Sequence, residues 1–202
     1  MNTGIFGGTF HPIHRGHTLA LQNFRELAHL DRTLVFPAGI PPHKALAEGA
    51  GDEDRLAMVR LAVKGLADVD DYEIRKGGKS YTVETLRYVR EKFPNDRLFL
   101  YVGSDMLLRF ETAWYQYREI LGMATLTALS RTGTDFEELC AYAGHLRKAY
   151  GADVLVGTAQ PLAISSTEIR KQLAAGGDVS DVLDSRVLDY IRQHHLYGVK
   201  DV

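Results

Sequence analysis

Short apolar runs alternate with helix-period stretches along almost the whole chain, and this rhythm restricts the fold more than any other feature. Candidate strands fall at 3–6, 33–36, 72–74, 98–102, 124–129 and 154–156. Between them Ala20, Phe24, Leu27 and Ala28 keep helical spacing, as do Leu56, Val59 and Val63, and then Phe136, Leu139, Ala143 and Leu146. Gly65 and Gly151 stand where helices can stop, and Asp135 or Thr134 where one can begin. Strands separated by helices at this spacing need right-handed crossovers. The expected class is therefore α/β, a mainly parallel sheet with helices on both faces. Residues 186–195 add a C-terminal amphipathic helix, with Val187, Leu188 and Ile191 turned inward, packed on the domain. No repeat, low-complexity tract or linker interrupts the pattern, so residues 1–202 read as one domain.

A chain of 202 residues can bury roughly 70% of its extended surface without covalent staples. Its net charge of −2 gives no basic field to draw nucleic acid or anionic lipid. The single cysteine, Cys140, rules out an internal disulfide and a cysteine metal cluster. No apolar run approaches the ~20 residues of a membrane span, and the N-terminus has no basic-then-apolar signal pattern. A cytoplasmic protein with neither nucleic acid nor membrane as partner is expected. Oligomeric state is not encoded legibly, and a homo-oligomer is compatible with the sequence.

In open parallel sheets, ligands bind beyond the carboxyl ends of the strands. The polar and glycine-rich segments fall there: 7–17 after the first strand, 37–44 after the second, 76–82 after the third, 103–105 after the fourth and 164–170 after the sixth. The string GGTFHPIHRGH, from Gly7 to His17, reads as a strand-to-helix turn. Gly7 and Gly8 let the backbone approach a ligand closely, and Pro12 fixes the turn. His14 and His17 lie three apart at the mouth of the following helix, beside N–H groups that attract anions. This segment is a candidate phosphate site.

The string ISSTEIR, from Ile164 to Arg170, offers a second. Ser165 or Ser166 can cap a helix whose N–H groups and hydroxyls face an anion, and Arg170 can reach the same phosphates. Ser165 and Glu168 also have the spacing of an ordinary capping box. Pro41 and Pro42 stiffen a loop that ends in His43 and Lys44, where the ammonium can meet a substrate phosphate. Ser80, Tyr81 and Thr82 open a helix. The Asp105 carboxylate after Gly103 can accept ribose hydroxyls or simply cap the next helix. Trp114, the only tryptophan, is a core aromatic or a stacking surface beside the crevice. His29, His145, His194 and His195 have no acidic or cysteine partners at metal-ligand spacing.

Taken together, GTFxPxHxGH and ISSTxIR resemble the two signatures of the nucleotidylyltransferase superfamily. PPHK, SYTxxTL, the GSD segment and FETAWYQYREI extend that resemblance to the bacterial nicotinate-nucleotide adenylyltransferases over nearly the whole chain. The resemblance implies a Rossmann-like nucleotidylyltransferase fold and transfer of AMP from ATP to nicotinate mononucleotide. Nicotinate adenine dinucleotide and pyrophosphate would be the products, on the route to NAD. It implies catalytic roles for His17, His14 and Arg170. It implies an ATP site of Gly7, Gly8, Thr9, Phe10, His14, His17, Gly103, Asp105, Ile164, Ser165, Ser166, Thr167 and Arg170. Lys44, Tyr81, Thr82, Trp114 and Tyr115 would bind the mononucleotide, and Mg2+ would arrive with ATP rather than in a protein cage. His11 stands where the family commonly carries aspartate, so no role of that aspartate transfers.

The attacking 5′-phosphate is already ionised and needs neither a strong base nor a covalent enzyme intermediate. In-line positioning and neutralisation of the departing pyrophosphate are what such a protein must supply. The competing readings are an adenylyltransferase preferring nicotinamide mononucleotide or phosphopantetheine, and a non-catalytic nucleotide-binding regulator.

Overall fold

The computed structural model describes residues 1–40, 48–130, 135–159 and 164–199. Strand β1 (Asn2–Gly8) runs through a tight turn into α1 (Arg15–Leu27). Strand β2 (Arg32–Pro37) is followed by α2 (Asp52–Ala62) and the two-residue β3 (Asp68–Val69). Helices α3 (Tyr72–Lys76) and α4 (Thr82–Lys92) precede β4 (Arg97–Gly103). Then come α5 (Ser104–Leu107), α6 (Phe110–Ala113), α7 (Tyr117–Met123), β5 (Ala124–Ser130), α8 (Phe136–Tyr150) and β6 (Val154–Thr158). Helices α9 (Ser166–Ala174) and α10 (Ser185–Gln193) lead to a 3-10 turn at Leu196–Gly198.

Among the described residues the strands form one six-stranded sheet, all parallel, in the order β3-β2-β1-β4-β5-β6. The chain works outward from β1 in one direction and then returns to lay β4 on its other side. Crossovers on either side of that boundary diverge, which opens a crevice beyond the ends of β1 and β4.

Alternation along the central strands separates two cores. Ile5, Leu34, Phe36, Leu98, Leu100 and Val102 point to one face, under Val83, Leu86 and Val89 of α4 and Leu139, Ala143 and Leu146 of α8. Phe6, Val35 and Phe99 point to the other, under Leu21 and Phe24 of α1, Met58 and Val59 of α2, and Ile169 of α9. Strands buried on both faces are mostly apolar, which is why these read as near-continuous runs broken only by small polar residues such as Thr3, Thr33 and Thr127. Val187, Leu188 and Ile191 bury α10 in the second core. Arg15 N–H donates to the Val182 carbonyl (2.9 Å) and Tyr190 Oη to Asp54 (3.1 Å), holding that helix near the first turn.

The strand expected at 72–74 is instead helix α3. Tyr72 stacks on Tyr88 of α4 at 4.1 Å, and the buried Glu73 carboxylate accepts the Thr85 hydroxyl at 2.7 Å. The third strand lies four residues earlier, where Asp68 and Val69 pair with Leu34 and Val35. Gly65 does not end α2, which stops at Ala62, but turns the chain just beyond it at φ 79°. Gly151 ends α8 in the left-handed conformation, and Asp135 occupies its N-cap. Thr134 lies outside the described residues. Among those residues no helix is long and apolar enough to cross a membrane.

Candidate active site

The turn after β1 is built around Phe10. Its backbone is left-handed (φ 49°), and its ring is buried in the second core, edge-on to the His17 ring at 5.2 Å. Only the Phe10 backbone is therefore left for a ligand. The two glycines have different reasons to be glycine. A Cβ on Gly8 would meet the Phe10 ring at 2.7 Å, whereas one on Gly7 would meet nothing within 4 Å, in open space above the strand end.

Arg55, fully buried on α2, supports the turn from beneath. It donates to the Thr9 carbonyl (2.7 Å) and to Asp52 (2.6 Å). The residue is charged, yet it shares the inward face of α2 with Met58 and Val59, three and four positions on. That placement is the one sequence signal that points to it.

His14 occupies the N-cap of α1 and His17 its third position, with ring centroids 3.8 Å apart. The His14 backbone N–H donates to His17 Nδ1 at 3.2 Å. A backbone N–H can only donate, so Nδ1 is an acceptor and the proton of the neutral ring sits on Nε2. His17 is thereby fixed as a donor at the far edge of its imidazole.

The second segment meets this turn directly. Ser165 caps α9, accepting the Glu168 N–H at 3.1 Å. The Ser166 hydroxyl donates to the Pro12 carbonyl (2.9 Å). Arg170 donates through Nη1 to the His11 carbonyl (2.7 Å) and through Nη2 to Thr167 Oγ1 (3.3 Å). Residues more than 150 positions apart thus share one hydrogen-bonded cluster, with Ile164 packed against the second core. Ser166 and Arg170 act here as ties on the turn.

His11 itself is buried, and its Nε2 contacts the Ala50 carbonyl at 3.1 Å. Burial pushes its imidazole below the ordinary histidine range. The Ala50 hydrogen bond opposes that shift, and the Arg170 and Arg55 charges add to it. A neutral ring facing a carbonyl must donate from Nε2. The edge of the same ring meets Tyr197, 5.2 Å away in the C-terminal turn.

Across the crevice, Gly103 ends β4 and caps the short α5, whose first turn carries the exposed Asp105. Beside it a cavity of about 130 Å³ is lined by Ser80, Tyr81, Thr82, Met106, Ala113, Trp114 and Tyr115. The Trp114 indole N–H donates to the Met106 carbonyl (3.2 Å) and the ring stacks on Phe110, so the ring surface rather than the N–H is left for a ligand. Tyr115 is exposed and its ring lies 4.9 Å from that of Tyr81. Tyr81 is the N-cap of α4 and no side chain caps that helix.

The Ser80 hydroxyl does not cap α4 either. It accepts the Gly39 N–H at 3.0 Å. Below it lies Glu73, whose carboxyl is pushed up by burial against the opposing hydrogen bonds of Thr85 and Ser80. Lys44, with Pro41, Pro42 and His43, lies outside the described residues. Among those residues no group of three or more His, Cys, Asp or Glu side chains is placed to hold a metal ion.

Residues 5–172 match the cytidylyltransferase-like family model. A "probable nicotinate-nucleotide adenylyltransferase" of Synechococcus sp. (strain JA-2-3B'a(2-13)) is 40% identical over 96% of this chain and 95% of its own length. The chain belongs to the nicotinate-nucleotide adenylyltransferase family. A second such relative, from Geobacter sulfurreducens, is 36% identical over 98% of this chain and 99% of its own. The nicotinic acid mononucleotide adenylyltransferase of Plasmodium falciparum, solved in complex with NaAD, has the same fold. It superposes with a TM-score of 0.78 over 98% of both chains, at 21% identity.

Proposed function

We infer that this chain transfers AMP from ATP to nicotinate mononucleotide, releasing pyrophosphate and forming nicotinate adenine dinucleotide for NAD synthesis. One observation carries the reading: the histidine turn after β1 and the serine–arginine tip of α9 are hydrogen-bonded together at the same strand edge.

In this reading the triphosphate lies over Gly7, Gly8, the Thr9–Phe10 backbone and the tip of α9. His17 donates from Nε2 to the α-phosphate as charge builds on it, and His14 and Arg170 share the departing pyrophosphate. Gly103 and Asp105 take the adenosine. Magnesium enters as part of the nucleotide substrate, bound by phosphate oxygens and water. Supply of ATP puts the reaction in the cytoplasm.

The pyridine ring of the mononucleotide occupies the cavity between Tyr81–Thr82 and Trp114–Tyr115. An aromatic wall suits a pyridine ring. The opposite wall is the start of α4, whose first N–H groups have no side-chain cap, and such a helix start favours a carboxylate over a carboxamide. This favours nicotinate over nicotinamide. A non-catalytic regulator is disfavoured because His14, His17 and Arg170 are all retained.

The test is pyrophosphate release from ATP with nicotinate mononucleotide, nicotinamide mononucleotide or phosphopantetheine as acceptor. The acid is expected to be fastest. Fastest release with phosphopantetheine overturns the reading, and no release with any acceptor returns the chain to a regulator. Lys44→Ala should raise the KM for the mononucleotide roughly tenfold, the worth of one charge-assisted contact, with little change for ATP. A rise confined to ATP would assign Lys44 to the other substrate.

A further inference from the structure

Helix α6 is a single turn, Phe110–Ala113, and it carries Trp114 and Tyr115 at its C-terminal end. A helix of four residues has no stability of its own, because one turn's hydrogen bonding does not repay the ordering of its backbone. Something outside it must hold the aromatic wall in place. Phe110 anchors one side, fully buried with its ring stacked on Trp114 at 5.0 Å. The other side is held through Glu111.

The Glu111 carboxylate accepts hydrogen bonds from three side chains of α8: Tyr150 Oη at 2.5 Å, Tyr142 Oη at 2.8 Å and His145 Nε2 at 3.0 Å. The Tyr142 hydroxyl also lies 3.5 Å from the Glu111 backbone N–H. Tyr150 is itself paired with Tyr117, 3.3 Å away, and Arg118 donates to Tyr117. These bonds hold the Glu111 carboxyl below its ordinary range, Tyr150 contributing most and Tyr142 next. Helix α8 is in turn fastened to the sheet through the buried Leu139, Ala143 and Leu146. A continuous path therefore runs from the rigid sheet through α8 and Glu111 to the turn that presents Trp114.

Resting on the reading of the Trp114 cavity as the pyridine site, we propose that Glu111 is a positioning residue for that site. Its carboxylate sets the pose of the Trp114–Tyr115 wall, without touching substrate. Three donors on one acceptor fix both the direction and the depth of α6, as no single ion pair would.

Trp114 is the only tryptophan, so its fluorescence reports the wall directly. Glu111→Ala, and separately the double variant Tyr142→Phe/Tyr150→Phe, should shift the Trp114 emission. Each should raise the mononucleotide concentration that half-quenches it, and the KM for that substrate, by roughly three- to tenfold, the worth of one displaced aromatic contact. The KM for ATP and the kcat at saturation should stay within about twofold, since the triphosphate site lies on other elements. The double variant leaves Glu111 in place, so it keeps the test open should Glu111→Ala fail to fold.

Unchanged quenching and KM in folded variants overturn the proposal, as does an equal rise in both KM values, which marks general loosening. Trp114→Ala separates this from the underlying reading. If it raises the mononucleotide KM while the Glu111 variants do not, only the positioning role falls. If Trp114→Ala also leaves that KM unchanged, the cavity is not the pyridine site and both fall.

Discussion

Replacing His17 with alanine lowers kcat by roughly two to three orders of magnitude, the usual loss when one preorganised donor to a developing anion is removed. The reason is the geometry of the ring. Its Nδ1 is occupied by the His14 N–H, so the neutral imidazole has its proton on Nε2 before any substrate arrives. No reorganisation is needed at the moment phosphorus changes partner, and alanine supplies no donor in that place. The KM values should move far less than kcat, because the contact strengthens in the transition state. Single-turnover rates with circular dichroism as a folding control provide the check. Turnover within tenfold of the parent would remove His17 from the reaction.

Arg55→Ala is expected to cost stability first and activity second. The substitution takes the donor from the partly buried Thr9 carbonyl, at about 1–3 kcal/mol, and adds a cavity where the arginine stem packed. A total loss of about 3 kcal/mol should be visible as a lower urea midpoint. Where the variant folds, kcat should fall about ten- to a hundredfold, because Thr9 lies in the turn that carries both histidines and small misplacements there are expensive. Arg55→Lys keeps a charge but loses the fork that holds Thr9 and Asp52 together, so it should fall between the two. A stability loss under about 1 kcal/mol for the alanine variant would show that the turn stands without its support.

Much of the architecture is legible because strands buried on both faces read as near-continuous apolar runs, with only small threonines admitted at 3–6 and 124–129 and none at 98–102. The failure at 72–74 has the same logic in reverse. Tyr72, Glu73 and Ile74 alternate like a half-buried strand, and three residues carry too little periodicity to separate the two states. The true edge strand, Asp68–Val69, has no apolar run of its own and exists through pairing with β2.

The candidate site divides in a similar way. Residues bound to sequence-local geometry, such as the His14–His17 pair at a helix start, follow from spacing alone. Arg55 and Glu111 do not. Charged side chains on helices are usually solvated, so only the spacing of Arg55 to Met58 and Val59 hints at its burial, and each gains its partners from elements distant in sequence. Arg55 needs the turn at Thr9 to arrive 46 residues away, and Glu111 needs α8, 31 to 39 residues on. Phe10 shows the opposite case: its signature position suggests ligand contact, while its ring serves the core.

The stitching of Ser166 and Arg170 onto Pro12 and His11 has a consequence for biosynthesis of the enzyme. The central strand β1 is translated well before α9, yet the loop at its tip is fastened by α9 residues more than 150 positions later. A polypeptide released before residue 166 would carry both signature histidines without the clamp that holds their backbone. Such a product would lack the two hydrogen bonds that join the turn after β1 to α9.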